Sequence, residues 1–215
     1  MMHLPDPVRR HLTVWFGGWN NADYGIEIVE SEHRLQPGWD GKVLPVVGLR
    51  HGDWAVLSVA PGRGDAVRAA LGGGHATDIA GALALMTAAF RWRLDAPVSA
   101  DAGEWISPDD ERVPSWLKPF NGDVLIAWDD DGLYGAGVGR KMHNEGGHEI
   151  SVGTEPALRG RGIAQRLVET TTRRILREAP VATYIHLLEN VASAKVAERA
   201  GFVDGGWRYI ATPEI

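Results

Sequence analysis

The residues best suited to chemistry are Arg159-Gly160-Arg161-Gly162-Ile163-Ala164, a cationic turn interrupted by glycines between a strand-like run, 149–154, and a helix-like run, 163–177. A helix start exposes backbone N–H groups that have no intrahelical acceptor and carries a partial positive charge. Glycines let phosphate oxygens approach those groups closely, and Arg159 and Arg161 add charge-assisted contacts. The segment therefore reads as a cradle for a pyrophosphate.

The neighbouring residues narrow the ligand. A Walker A loop needs Gly-Lys-Ser/Thr at the helix start, whereas Gly162 is followed by Ile163 and Ala164. A dinucleotide loop needs three glycines and an acidic residue closing the next strand, where Glu189 is a weak match. What remains resembles the GNAT superfamily of CoA-dependent N-acetyltransferases, whose signature is Gln/Arg-x-x-Gly-x-Gly/Ala. The stretch from Asn190 through Ser193 to Gly201-Phe202 is similar to the family's second hallmark, Asn-x-x-Ser, a helix, then Gly-Phe. The two occur in family order, with Pro156 ahead of the loop, and the likeness is clearest over 123–209.

That resemblance implies a mixed, mostly antiparallel central sheet flanked by helices, and an enzyme that moves an acetyl group from acetyl-CoA to a primary amine by direct attack. It implies that backbone groups of Val152, Gly153 and Thr154 meet the thioester and pantetheine arm. Arg159, Gly160, Arg161, Gly162, Ile163 and Ala164 then hold the pyrophosphate. Asn190 and Ser193 match positions that touch CoA; read from the residues alone, Asn190 is a helix N-cap and Ser193 faces solvent. Lys195 reaches a phosphate or lies on a solvated face. An ammonium must lose a proton before it attacks, and Glu149 and His148 stand where the family often carries a base. Alternation along a strand sends the two to opposite faces, so one of them reaches the acceptor, with Glu149 favoured. His186 and His143 are lesser candidates. Many members carry a Tyr four residues before the Gly of Gly-Phe to protonate the leaving thiolate, but this chain has Ala197 there. The alternative reading is a non-catalytic acyl-CoA-binding or regulatory module.

The elements that must position these residues read as follows. A hairpin runs from 43 to 59 with a turn at His51-Gly52-Asp53, and Pro45 predicts that its first strand is a sheet edge. A helix follows over 65–71, then Gly72-Gly73-Gly74, then a second helix from Asp78 to about Arg91. Residues 97–114 read as a connector ending in Trp116 to Phe120, whose aromatics lock onto a core. The second half predicts strands over 123–128 and 133–142 joined at Asp129-Asp130-Asp131-Gly132, a polar loop at 143–147, a strand to Thr154, and a helix with an apolar stripe at Ile163, Leu167, Thr171 and Ile175. A strand over 181–188 and a helix over 191–200 close the series. The expected domains are an N-terminal α/β segment, 1–95, a connector, 96–121, and a CoA-binding core, 122–215. Ser58-Val59 leading to Gly62-Arg63-Gly64 echoes Ser151-Val152 leading to Gly160-Arg161-Gly162, through chance recurrence or because the first segment is a degenerate half.

Composition sets the outer bounds. With 215 residues and 44% hydrophobic content the chain is a folded globule, and its formal charge of −6 argues against nucleic acid as a partner. The absence of cysteine excludes disulfides, thiolate catalysis and cysteine-based zinc sites, and no metal is expected. The start of the chain lacks the apolar core of a signal peptide, and the most apolar run, 79–90, is too short to span a bilayer; no membrane partner and a cytoplasmic location are expected. The resemblance implies a small-molecule or peptide amine as the acceptor, and a monomer or homodimer is expected. The nine tryptophans include Trp15, Trp19 and Trp39, which line a cleft or anchor loops.

Overall fold

The computed structural model describes residues 4–19 and 25–212. Along the chain run α1 (Asp6–Phe16), β1 (Gly25–Glu30), β2 (Val46–His51), β3 (Trp54–Val59), α2 (Gly64–Leu71), α3 (Ile79–Ala82), β4 (Met86–Arg93), β5 (Glu104–Ile106), β6 (Val124–Trp128), β7 (Tyr134–Asn144), β8 (Gly147–Thr154), α4 (Ile163–Glu178), β9 (Ala182–Leu187), α5 (Val191–Arg199) and β10 (Val203–Ala211). They form two compact units. One holds the described residues up to Phe90, His186–Glu189 and those from Asp204 on; the other holds Arg91–Ile185 and Asn190–Val203. Both are mixed α/β, with mostly antiparallel strand pairing.

In the first unit β1 lies parallel to β3, β3 forms a hairpin with β2, and β10 pairs antiparallel with β2. The expected edge strand is thus an inner one. Pro45 stands just ahead of the ladder, which begins at Val46, so its missing N–H removes no rung. Trp54 and Ile79 are buried, and so are Val8, Leu12 and Phe16 of α1. Trp15 stacks on Tyr209 at 5.7 Å and Trp19 on Trp54 at 5.0 Å, so both tryptophans anchor rather than line a cleft. The helix expected over 78–91 is a correction: only Ile79–Ala82 is helical, and Ala84, at φ 51°, turns the chain into strand β4. Ala88, Ala89, Phe90 and Trp92 are buried, so the strand is covered on both faces at its centre, where the helix propensity of the surrounding alanines masked it.

In the second unit β5, β6, β7 and β8 pair antiparallel in sequence order, and β9 lies parallel to β8. Helix α4 covers one face: Leu167, Thr171 and Ile175 are fully buried, in a core with Val138, Ile150 and Tyr184. The other face of β7 is cut by glycines. A Cβ at Gly137 would lie 2.6 Å from Leu117, one at Gly139 2.4 Å from the Phe120 ring, and one at Gly153 of β8 2.8 Å from Trp116. The aromatics of 116–120 do lock onto a core, and glycines make room for them. The connector upstream contains β5 and is tied to α4, where Arg173 meets Asp101 and Ser99. The polar loop expected at 143–147 is instead a tight turn, with His143 and Asn144 still in β7.

Candidate active site

The two hallmark segments meet at one cleft of about 450 Å³, lined by Val152, Gly153 and Thr154 of β8, by the turn and first residues of α4, and by Asn190, Ala192, Ser193, Lys195, Val196 and Arg199 of α5. Gly160 and Gly162 adopt φ of 80° and 74°, a left-handed backbone that a side chain would strain. Nothing lies within 4 Å of a Cβ built on Gly160. Arg159 ties the loop to the strand, its Nε donating to the Thr154 carbonyl at 3.2 Å, while Arg166 Nη1 donates to the Arg161 carbonyl at 3.3 Å.

The helix starts differ in how their N–H groups are satisfied. The Glu30 carboxylate takes the N–H groups of Gly62 and Gly64 at the start of α2, at 3.0 and 2.7 Å, and those hydrogen bonds hold its pKa below the usual carboxylate value. Asn190 Oδ1 takes the Ser193 N–H at the start of α5, at 3.0 Å. Helix α4 has no side-chain cap, its first backbone bond runs from Arg166 N to Gly162 O, and the N–H groups of Ile163, Ala164 and Gln165 meet no acceptor among the described residues. Ile163, Ala164 and Gln165 line the cleft. Uncapped donors, a positive helix end and a glycine turn fit the diphosphate of CoA.

Pairing of β8 with β9 runs from His148–Ala182 to Ile150–Tyr184 and does not reach Ser151–Ile185. The end of β8 that lines the cleft is thus separated from that partner. Asn190 takes the N-cap role that residue reading gave it, while also lining the cleft. Ser193 does not simply face solvent: its hydroxyl lies 2.9 Å from that of Tyr184, which burial raises to a pKa of about 12. Tyr184 escaped the sequence reading because only strand register reveals a side chain reaching helix α5 from below. Ala197 is fully buried in the core that includes Tyr184 and Phe202.

Glu149 and His148 point to opposite faces of β8. Glu149 lies opposite Lys141 on β7, with Lys141 Nζ 2.7 Å from Oε1 and His143 Nε2 3.1 Å from Oε2. Burial raises the Glu149 pKa, but the Lys141 ammonium and the His143 hydrogen bond outweigh it and bring the carboxyl down to about 2. His148 is buried on the α4 side, where burial first and Arg140 second lower its pKa; its Nδ1 has no hydrogen-bond partner among the described residues. His186 belongs to the other unit, 7% exposed, with Nδ1 2.9 Å from the Leu187 carbonyl. The aspartates at 129–131 form a turn, in which Asp129 Oδ1 accepts from the N–H groups of Asp131 and Leu133.

The family model described as acetyltransferase (GNAT) family matches residues 86–202, more than half of the chain. The chain belongs to the GNAT acetyltransferase family. Among solved structures it is similar to a GNAT-family protein from Novosphingobium aromaticivorans, at 18% identity and a TM-score of 0.50, over 61% of this chain and 66% of that one. A GNAT-family acetyltransferase from Colwellia psychrerythraea aligns at 11% identity and a TM-score of 0.49, over 73% of this chain and 76% of that one. A GCN5-related N-acetyltransferase-like protein from Streptococcus suis aligns at 13% identity and 0.48, over 77% and 82%. At such identities the first of these speaks to the fold alone. No protein of curated function matches the sequence at a significant level.

Proposed function

We propose that the protein transfers an acetyl group from acetyl-CoA to a primary amine. The observation that carries this is the uncapped start of α4: three N–H groups face a cleft beside two left-handed glycines, while α2 and α5 carry their own acceptors. The diphosphate is held there, and Arg159 and Arg161 add charge. Backbone groups of Val152 to Thr154, beyond the last β8–β9 rung, orient the thioester and donate to the oxygen that becomes negative as the amine attacks. Acetyl-CoA supplies the activated acyl carbon. The amine displaces the sulfur directly, and no residue of the chain is acylated.

Glu149 lies on the same strand as those donors, and we assign it to the proton-accepting cluster together with His143. A lone carboxylate with a pKa of about 2 takes a proton from an ammonium poorly. Glu149 Oε2 lies 3.1 Å from His143 Nε2 and orients that imidazole. His148, buried on the α4 side, is a structural residue in this account.

The test is amine-dependent release of free thiol from acetyl-CoA across a panel of small amines and peptide N-termini. Release above the amine-free rate with at least one acceptor is expected. Tight binding of acetyl-CoA with no release from any acceptor would favour the non-catalytic module, which the absence of a phenol at Ala197 otherwise supports.

A further inference from the structure

Helices α4 and α5 pack on one face of the second unit's strands, in the core that holds Ile150, Tyr184 and Ala197, and the glycine cradle stands at the start of α4 on that side. A donor held there leaves the opposite face of β8 to the amine. Alternation along the strand puts Glu149, Ser151 and Gly153 on that opposite face. At Gly153, in the middle of the segment 152–154 that lines the cleft, the indole of Trp116 covers the backbone: a Cβ on Gly153 would lie 2.8 Å from its Cζ2. The ring is fixed from behind. It meets Phe120 edge-on, at 6.1 Å and 88°, and Phe120 is itself buried over Gly139. The indole N–H donates to the Tyr134 hydroxyl, which in turn donates to the Gly153 carbonyl at 3.4 Å. Trp116 is nonetheless 39% exposed, so its outer rim borders the open side of the strand.

We propose that Trp116 determines specificity on the acceptor side, admitting a primary amine carried on an unbranched methylene chain and turning away amines on a branched carbon, such as the α-amino group of an alanyl peptide. The proposal rests on the acetyl-transfer reading above and narrows its acceptor class. The reason is steric. An amine nitrogen has to come within bonding distance of a carbonyl carbon held against the backbone of 152–154, and the indole takes the room above that backbone. A CH2 group follows the nitrogen past the rim of the ring. A carbon bearing two further groups drives one of them into an indole that Phe120 and Tyr134 hold in place, and such overpacking is costly because the neighbours do not yield. The indole N–H is already engaged by Tyr134, so the rim offers methylenes an apolar contact and a carboxamide no partner.

Amine-dependent release of free thiol from acetyl-CoA tests this with two isomers, n-butylamine and sec-butylamine, each rate being divided by that of the uncatalysed reaction of the same amine. The unaltered protein should favour n-butylamine by about tenfold or more in kcat/KM. Trp116→Ala should bring the ratio close to one by raising the rate with sec-butylamine, a gain that a merely structural role for the ring does not produce. Trp116→Phe, a smaller ring that keeps the contact with Phe120, should give a ratio between the two, and it carries the test if thermal unfolding shows that the alanine variant does not fold. Equal rates with the two isomers in the unaltered protein, or a preference unchanged in the folded variants, overturns the Trp116 wall and leaves acetyl transfer standing. Release from neither isomer overturns the proposal: if peptide N-termini alone are acetylated the transfer reading stands without it, and if no amine is acetylated both fall.

Discussion

Glu149 is fully enclosed, yet it stays ionised because Lys141 and His143 each hold one of its oxygens. Its folded pKa lies below the unfolded value, so it stabilises the fold above about pH 4.5, and that contribution is lost as pH falls toward 2. His148 acts in the same direction by another route: its folded pKa is lowered, so protonation below about pH 6.5 favours the unfolded chain. Urea unfolding measured from pH 8 to pH 3 should therefore show stability falling in two limbs, one starting near 6.5 and one below 4.5. Glu149→Gln should shrink the lower limb, to which Glu30 and Glu178 also contribute, and lose on the order of 2–3 kcal/mol at pH 7, since it leaves Lys141 beside a neutral group. An unchanged acid limb in that variant would contradict the ion-pair assignment. The position of Glu149 on its strand was legible in the sequence. Its partners were not, because Lys141 meets it only through the β7–β8 register, and register depends on where the hairpin turns.

The elements that hold the site depend on glycines as much as on apolar stripes. Gly137, Gly139 and Gly153 leave channels in the sheet that Leu117, Phe120 and Trp116 fill, clamping the connector against the face that also bears Glu149. Gly139→Ala should cost about 1–3 kcal/mol, because its Cβ would lie 2.4–2.6 Å from the Phe120 ring and that ring is buried. Denaturant unfolding reads this directly, and a loss below about 0.5 kcal/mol would mean the ring is not seated on the strand. Strand and turn signals in the second half were readable because each hairpin and helix start carries its own local chemistry. The alanine-rich stretch before β4 was not, because helix propensity and strand alternation compete there and tertiary burial decides. Neither was the β7–β8 turn, where polar residues that look like a loop continue the ladder to Asn144.

At the scale of the molecule, one chain repeats a motif and uses it twice in opposite senses. Strand, glycine turn and helix recur at 58–71 and 151–178, but the first copy closes its helix start with its own Glu30 while the second leaves it open to the cleft. The sequence displayed both turns. It hid the difference, because Glu30 reaches Gly62 and Gly64 through the parallel pairing of β1 with β3. The two hallmarks that pointed to the family lie on elements that line one cleft, so the proposed donor site was the part most legible in the sequence. The central claim, that the open helix start binds the diphosphate of acetyl-CoA, is tested most directly by calorimetric titration of acetyl-CoA into the protein and into its Gly162→Trp variant. Roughly one ligand per chain should bind the first at micromolar affinity, and a folded variant should lose at least tenfold in affinity. Absence of binding by the unaltered protein, or equal affinity in the two, would contradict it.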